Sequence, residues 1–215
     1  MIDMLLKSTL ETLWMVGISS FFGFSVGVPF ALFLWSMQTK GILQCKLGYR
    51  LLSFVINSFR SIPYVIFMVL LIPVTRMLVG TSIGTCAASF PLSLAAILLF
   101  IRMAEDTFRM IPRGLIEAGL VMGATPLQIV REIVFKESLP SLISALTNLI
   151  VMLIGFSAMA GAVGGGGLGD LAIRYGYQRY DLELLSVIVV ILIVLVQVVQ
   201  GMGGYIVQKL SSTRM

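Results

Sequence analysis

Histidine is absent from this sequence of 215 residues, and aspartate and glutamate together number only 10. The chain has no GxxxxGK[ST] phosphate-binding loop and no HExxH metal-binding helix, and without histidine it lacks any Ser/His/Asp or Cys/His catalytic pairing. Its two cysteines, Cys45 and Cys86, lie far apart without CxxC spacing, so we expect unpaired thiols with no redox role. The sequence therefore predicts a protein that is not an enzyme, with no catalytic residues, no metal site and no cofactor of its own.

Charge is also scarce, at 12% of residues, whereas 58% are hydrophobic and the mean hydropathy is +1.03. This composition predicts an integral membrane protein, because a bilayer core of about 30 Å needs roughly 20 apolar residues as helix. The runs lack the alternation of barrel strands, so we expect an all-α fold in one transmembrane domain, residues 1–215. Five spans are predicted, at residues 12–39, 61–75 with an apolar extension back to residue 51, 77–101, 138–169 and 184–208.

Lysine and arginine set the predicted orientation, because positively charged loops stay in the cytoplasm. With an external N-terminus and a cytoplasmic C-terminus, four basic residues lie outside: Lys7, Arg76, Arg174 and Arg179. Eleven lie inside: Lys40, Lys46, Arg50, Arg60, Arg102, Arg109, Arg113, Arg131, Lys136, Lys209 and Arg214. This excess of basic residues on the cytoplasmic side explains the net charge of +5, so nucleic-acid binding is not needed to explain it. The predicted spans contain no Asp or Glu, which argues against a carrier driven by an ion gradient.

Residues 113–137 form an amphipathic stretch that this topology places in the cytoplasm, between the third and fourth spans. Residues 113–122 predict a short helix, and Gly123 is well placed to end it because glycine adopts left-handed conformations freely. Two interpretations of the stretch fit its spacing. It is either an interfacial helix pair that holds a loop against the bilayer, or a rigid corner that transmits a push.

A second short helix is predicted to follow directly. Thr125 and Gln128 have the spacing of a capping box, and Pro126 suits the first helical position, where its missing N–H is no loss. We expect the helix to stop near Leu139, because Pro140 disfavours helical conformation in the residue before it.

The pattern Glu117-Ala118-Gly119, with three residues to Gly123 and nine more to Ile133, resembles the EAA loop of ABC-importer permeases. In two places the pattern departs from that loop: Gly119 replaces the second alanine, and Phe135-Lys136 stand where Leu-Pro is usual. The resemblance implies that this loop is a coupling helix that contacts a cytoplasmic ATPase. The residues it assigns to that contact are Glu117, Ala118, Gly119, Gly123, Ala124, Thr125, Pro126 and Gln128.

Longer segments are similar to the methionine-uptake family of these permeases. They are FRSIPYVIFMVLLIPVTR at 59–76, VGTSIG at 79–84, GATPLQIVR at 123–131 and GFSAMAGAVGGGGLGDLAIRYGY at 155–177. The resemblance implies a multi-pass subunit of the bacterial cytoplasmic (inner) membrane that works as two copies with two ABC ATPase subunits, which bind ATP and magnesium. It also implies alternating access, contact with lipid, and an extracytoplasmic methionine-binding protein. Two alternatives stay open: the same importer role for another amino acid or small solute, and a channel or scaffold without ATP coupling.

Ser157, Met159 and Gly161 are the candidate gate or pathway residues. Met159 stands among small residues in GFSAMAGAV, so its side chain could project from a closely packed face and plug a narrow pore. The alternative is an ordinary packed methionine, since methionine commonly fills gaps between helices. The resemblance to the family's gate region favours Met159 over the other methionines.

Three further features carry open interpretations. Residues 161–169, GAVGGGGLG, predict a close-packing exit from the fourth span or a hinge near the external gate. Residues 174–180, RYGYQRY, predict anchoring at the membrane surface or contact with the binding protein. Arg60 is expected to reach the inner headgroups as the second span begins.

Overall fold

The computed structural model describes residues 2–38 and 45–212. Within these two ranges every regular element is helical, so the predicted all-α class is confirmed. The helices are α1 (Ile2–Met37), α2 (Lys46–Arg60), α3 (Tyr64–Val79), α4 (Thr85–Arg109), α5 (Arg113–Val121), α6 (Pro126–Gln128), α7 (Lys136–Ala162), α8 (Gly167–Leu171) and α9 (Leu182–Ser212). Two π-helical segments, Ile129–Phe135 and Ala172–Tyr177, join α6 to α7 and extend α8.

Four stretches of the described chain are long and apolar enough to cross a membrane: Ile2–Met37, Thr85–Arg109, the continuous helix Pro126–Ala162, and Leu182–Ser212. The chain has up to five candidate spans if the bent pair α2 and α3 counts as one. The predicted fifth span, 184–208, lies within α9. The inside-outside orientation of the helices stays a prediction.

The predicted second span was wrong in its extension back to residue 51. Residues 46–60 form a separate helix whose axis makes an angle of 101° with that of α3. Pro63 accounts for the break, because proline lacks an N–H and disfavours helical conformation in the preceding Ile62. Only α3, and not residues 46–60, therefore belongs to the predicted second span.

The predicted third span was wrong at both ends. Gly80, with φ of +82°, is the left-handed C-cap of α3, and Gly84 at +101° precedes α4, so a turn occupies the start of the predicted run 77–101. At the other end, α4 continues to Arg109 instead of stopping at residue 101. The helix extends that far because the charged groups in its last turns are paired, as described below.

The fourth span also differs from the prediction, because Pro140 does not stop a helix near Leu139. It lies inside α7, which continues from the π-helical segment Ile129–Phe135 without a break. Such local π adjustments let membrane helices accommodate proline. The span ends at Ala162 instead of residue 169, because the glycines that follow take left-handed conformations: Gly164, Gly166 and Gly167.

The first helix begins at Ile2, well before the predicted residue 12, and so includes Lys7 and Glu11. Its predicted end at residue 39 lies outside the described residues, as do Lys40 and Arg214 of the charge count.

The α1–α4 contact forms the centre of the buried core. A Cβ atom on Gly23 would come within 3.1 Å of the Cβ of Ala96, and one on Gly27 within 3.0 Å of the Phe100 ring. Small residues four apart allow this close approach of two membrane helices. The largest fully buried apolar side chains on these two helices are Phe100, Phe108, Met15, Leu34 and Leu92.

Glu105 is fully buried at the far end of this contact and joins three helices. One carboxylate oxygen accepts hydrogen bonds from Gln38 Nε2 at 2.7 Å, the Tyr49 hydroxyl at 3.0 Å and Arg109 Nη2 at 2.7 Å. The other oxygen pairs with Arg102, whose Nη2 also donates to the backbone carbonyl of Ser53 at 3.0 Å. We call this group, Gln38, Tyr49, Ser53, Arg102, Glu105 and Arg109, the Glu105 network. The buried Arg102 and Glu105 neutralise each other, and Arg109, which is partly exposed, also reaches Asp106, so α4 can carry these charges at its end.

We expect Glu105→Ala to destabilise the fold strongly, because it leaves the buried Arg102 without its carboxylate. Breaking a buried ion pair from one side costs roughly 3–5 kcal/mol, which thermal unfolding of the purified protein in detergent measures as a lower midpoint. Asp106→Ala is the matched control, since the Asp106 side chain is 68% exposed and its pairing to Arg109 is long, at 3.4 Å. Equal midpoints for the two variants would contradict this role of the network.

Candidate functional site

The corner between α5 and α6 is built by the backbone of Gly123, as predicted. Gly123 has φ of +79°, and the amide of Ala124 donates to the Gly119 carbonyl at 3.0 Å while the Gly123 amide donates to the Leu120 carbonyl at 3.0 Å. These two bonds are the Schellman arrangement that closes a helix C-terminus. A Cβ on Gly123 would meet nothing within 4 Å, so the backbone angle, and not space, requires glycine here.

Thr125 and Gln128 form the predicted capping box on the other side of the corner. Thr125 Oγ1 accepts from the Gln128 amide at 3.4 Å, and Gln128 Oε1 accepts from the Thr125 amide at 2.8 Å. Pro126 occupies the first turn, also as predicted. Both ends of the corner are therefore held by local hydrogen bonds.

Gly119 faces inward, toward the helix that follows the corner. A Cβ at this position would lie 2.6 Å from Cδ1 of Ile133 and 3.7 Å from Cγ1 of Ile129, which is fully buried. The absence of a side chain at Gly119 thus lets the two helices approach closely. This contact gives a physical reason for the glycine that replaces the alanine of the EAA pattern.

The outer side of the corner is apolar and exposed. Leu120 is 56% exposed, Val121 89%, Met122 80% and Leu127 75%; we call these four side chains the corner surface. Of the other predicted contact residues, Glu117, Ala118, Thr125, Pro126 and Gln128 are exposed beside it, Ala124 is half-buried and Gly119 is buried. Contiguous exposed apolar side chains mark a contact with another molecule.

The three candidate gate residues do not come together in one chain. Ser157 is buried and its hydroxyl donates to the Ile154 carbonyl at 2.7 Å. Gly161, one turn further on the same face, packs against α8, where a Cβ would lie 2.6 Å from the carbonyl carbon of Gly169. Met159 points away from both and is 46% exposed. Their role in a gate stays a prediction.

The glycine-rich residues 161–169 pack closely against their neighbours, as one of the two interpretations predicted. A Cβ on Gly165 would lie 2.9 Å from the Cβ of Ala88, and one on Gly169 would lie 2.7 Å from the carbonyl carbon of Ala158. The amide of Gly167 donates to Glu11 Oε2 at 2.9 Å, and the amide of Leu168 donates to Thr12 Oγ1 at 2.9 Å. Helix α1 therefore caps the short helix α8.

In residues 174–180, Arg174 pairs with Asp170 and the Arg179 guanidinium lies 4.6 Å from the centre of the Tyr175 ring. Tyr177 and Tyr180 are 74% and 81% exposed. This mixture of exposed rings and paired cations is compatible with both interpretations of the segment, anchoring at the membrane surface and contact with a binding protein.

Two groups of polar interactions in the structure were not predicted from the sequence. The Glu105 network had a detectable signal, because Arg102, Glu105 and Arg109 have the i, i+3, i+7 spacing of one helix face. The caps from Glu11 and Thr12 had none, because their partners Gly167 and Leu168 are distant in the chain.

Residues 27–212 match the model of a family described as the inner membrane component of binding-protein-dependent transport systems. The chain belongs to this family. It is a multi-pass permease subunit of an ABC transporter, and the family predicted from the EAA loop is confirmed.

Two relatives of this permease carry the same description, a D-methionine transport system permease protein. The probable D-methionine transport system permease protein MetI of Vibrio cholerae is 46% identical over 97% of this chain and 92% of its own length. The D-methionine transport system permease protein MetI of Salmonella typhimurium is 47% identical over 75% of this chain and 74% of its own.

Solved structures resemble the whole permease. A chain described under inward-facing conformations of the MetNI methionine ABC transporter superimposes with a TM-score of 0.96 at 43% identity, over 98% of this chain and 97% of that one. A chain of an amino acid ABC transporter with histidines superimposes with a TM-score of 0.77 at 18% identity, over 97% of this chain and 94% of that one. The second likeness concerns the fold alone.

We expect Gly161→Ala to destabilise the permease, because the new Cβ meets the backbone of α8 and backbone cannot move aside cheaply. Overpacking of this kind costs about 1–3 kcal/mol or more, which thermal unfolding in detergent measures. Gly155→Ala in the same helix is the matched control, since a Cβ there meets nothing within 4 Å. If Gly155→Ala lowers the midpoint as much as Gly161→Ala does, the close α7–α8 contact is not what requires glycine.

Proposed function

We propose that this permease carries methionine into the cell as a pair of identical chains, driven by two cytoplasmic ABC ATPase subunits that bind ATP and magnesium. The names of the relatives and the 43% identity to a MetNI methionine transporter chain support the substrate and the assembly. An extracytoplasmic binding protein delivers the methionine. The permease itself contributes the path and the moving parts, and the partner ATPase contributes the chemistry.

The corner surface carries the coupling part of this proposal. Its four apolar side chains are 56% to 89% exposed, and the Schellman bonds and the capping box hold the backbone beneath them. Such a surface suits a hydrophobic cleft on a partner protein, where burying it is favourable. Because local hydrogen bonds make the corner stiff, a displacement of the partner moves the corner as a unit.

One continuous helix connects the corner to the candidate gate. Pro126–Ala162 has 37 residues, which at about 1.5 Å per residue is roughly 55 Å long. Its first turn is part of the corner, and Met159 lies in its last turn. A tilt imposed at the corner therefore displaces Met159 at the opposite end, as alternating access requires.

Met159 is the gate residue that the geometry favours over Ser157 and Gly161. It is 46% exposed, whereas the other two are packed inside one chain. In a pair of identical chains, symmetry brings two copies of an exposed residue to equivalent positions about the twofold axis. A flexible methionine from each chain can then close a narrow path.

The test of the proposed function is uptake by the reconstituted transporter. We expect vesicles that contain the permease, its ATPase and its binding protein to accumulate radiolabelled methionine with ATP and not without it. Uptake without ATP would overturn the coupling, and ATP-dependent uptake of another solute alone would overturn the substrate.

We expect Gly123→Ala to reduce ATPase stimulation by the loaded binding protein several-fold, because a left-handed conformation costs a residue with a side chain about 1–2 kcal/mol. Gly123→Asn should keep more stimulation, since asparagine tolerates that conformation. Gly114→Ala in the preceding helix α5 is the matched control, because a Cβ there meets nothing within 4 Å and no positive φ is needed. Equal stimulation in all three variants would show that the corner geometry does not serve coupling.

A further inference from the structure

Helix α2 presents three different faces. Its exposed apolar face holds Leu47, Leu51, Phe54 and Val55, which are 49% to 71% exposed and follow the i, i+4, i+7, i+8 spacing of one helical stripe. Its basic edge holds the exposed Lys46 and Arg50, and the helix contains no acidic residue. Its inner face packs against the protein through Tyr49, Ser53 and the buried Ile56.

The direction of α2 differs from that of the spans. The axes of α2 and α3 meet at 101°, and α3 is an apolar helix of 16 residues, about 24 Å long. If α3 runs across the bilayer, α2 lies nearly parallel to its surface. A helix in that position meets the boundary between headgroups and acyl chains along its whole length.

We propose that α2 is an in-plane amphipathic helix that inserts its apolar face into one leaflet and binds anionic phospholipid headgroups through Lys46 and Arg50. The predicted orientation makes this the cytoplasmic leaflet. Apolar side chains gain by leaving water for the acyl boundary, and cations at the helix flank attract anionic headgroups. This inference does not depend on which solute the permease carries.

Charge selects lipid over a second copy of the chain as the occupant of this face. A second copy of α2 packed against this face would offer its basic edge no opposite charge, because the helix contains no acidic residue. An anionic lipid surface offers the opposite charge. The apolar face and the basic edge therefore fit the same partner.

The inner face gives the lipid contact a structural consequence. The Tyr49 hydroxyl donates to Glu105 at 3.0 Å, and the Ser53 carbonyl accepts from Arg102 at 3.0 Å, so α2 is tied to the last turns of α4. After α4 ends at Arg109, α5 begins at Arg113 and leads into the corner. When α2 is bound to lipid, it therefore restrains the end of α4, from which α5 and the corner extend.

Site-directed spin labelling of the full-length permease in vesicles tests the position of α2. In a Cys45→Ser, Cys86→Ser background, a label is placed by Leu51→Cys or by Asn57→Cys, which lie about 120° apart around the helix. We expect molecular oxygen to relax the label at position 51 about threefold more than the label at position 57, and a water-soluble nickel chelate to show the reverse order. Chelate access to position 51 would overturn the proposal. So would exclusion of both reagents, which indicates a protein cover such as a second copy.

A second measurement tests the preference for anionic lipid. We expect spin-labelled phosphatidylglycerol to associate with the wild-type permease more strongly than phosphatidylcholine, and the ratio to fall about twofold or more in Lys46→Gln/Arg50→Gln. Lys7→Gln/Arg76→Gln is the matched control, because it removes two exposed cations elsewhere in the chain and should keep the ratio. An unchanged ratio in Lys46→Gln/Arg50→Gln, or an equal fall in the control, would overturn the role of these two cations.

Discussion

The burial of Glu105 constrains the arrangement of helices around the corner between α5 and α6. A carboxylate loses several kilocalories per mole of hydration when it leaves water, so it is stable in the interior only where donors surround it. Here the donors come from Gln38 after α1, from Tyr49 on α2 and from Arg102 and Arg109 on α4. The two ion pairs lie within α4, so a large shift of α1 or α2 would remove the neutral donors Gln38 or Tyr49 from a buried carboxylate. The base of the α5–α6 corner is thereby fixed relative to the spans and to the amphipathic helix α2.

The opposite end of the molecule is held together by a different physical device. Close backbone contact at Gly161 and Gly169 joins α7 to α8, and the caps from Glu11 and Thr12 satisfy the amides that start α8. Glycine contacts of this kind allow very close packing without directional charge. The Glu105 network therefore holds one end of the permease together, and close backbone packing at glycines holds the other end.

Between these two ends runs the helix Pro126–Ala162. The π-helical segment Ile129–Phe135 and the internal Pro140 lie near its beginning, and yet the helix is unbroken. A break at either would have separated the corner from the end of the helix that holds Met159. Continuity places Leu127 of the corner surface and Met159 near the two ends of one helix, which is the physical basis for the proposed coupling of ATPase movement to the gate.

Much of this protein could be predicted from residues that interact locally. Composition determined the membrane class and the helical fold, and the corner of Gly123, Thr125 and Gln128 was predicted correctly because its hydrogen bonds join residues at most five apart. The limits of the second and fourth spans followed local proline and glycine residues that runs of hydropathy do not register, whereas the extension of α4 to Arg109 depends on distant partners. Arg102 and Glu105 remain helical and buried only because Gln38, Tyr49 and Ser53 approach them from other helices. Local turn chemistry depends on neighbouring residues, and the ion pairs of Glu105 lie within one helix. The burial of Glu105 and its hydrogen bonds to Gln38 and Tyr49 exist only after the helices have packed, so the tertiary structure alone decided them.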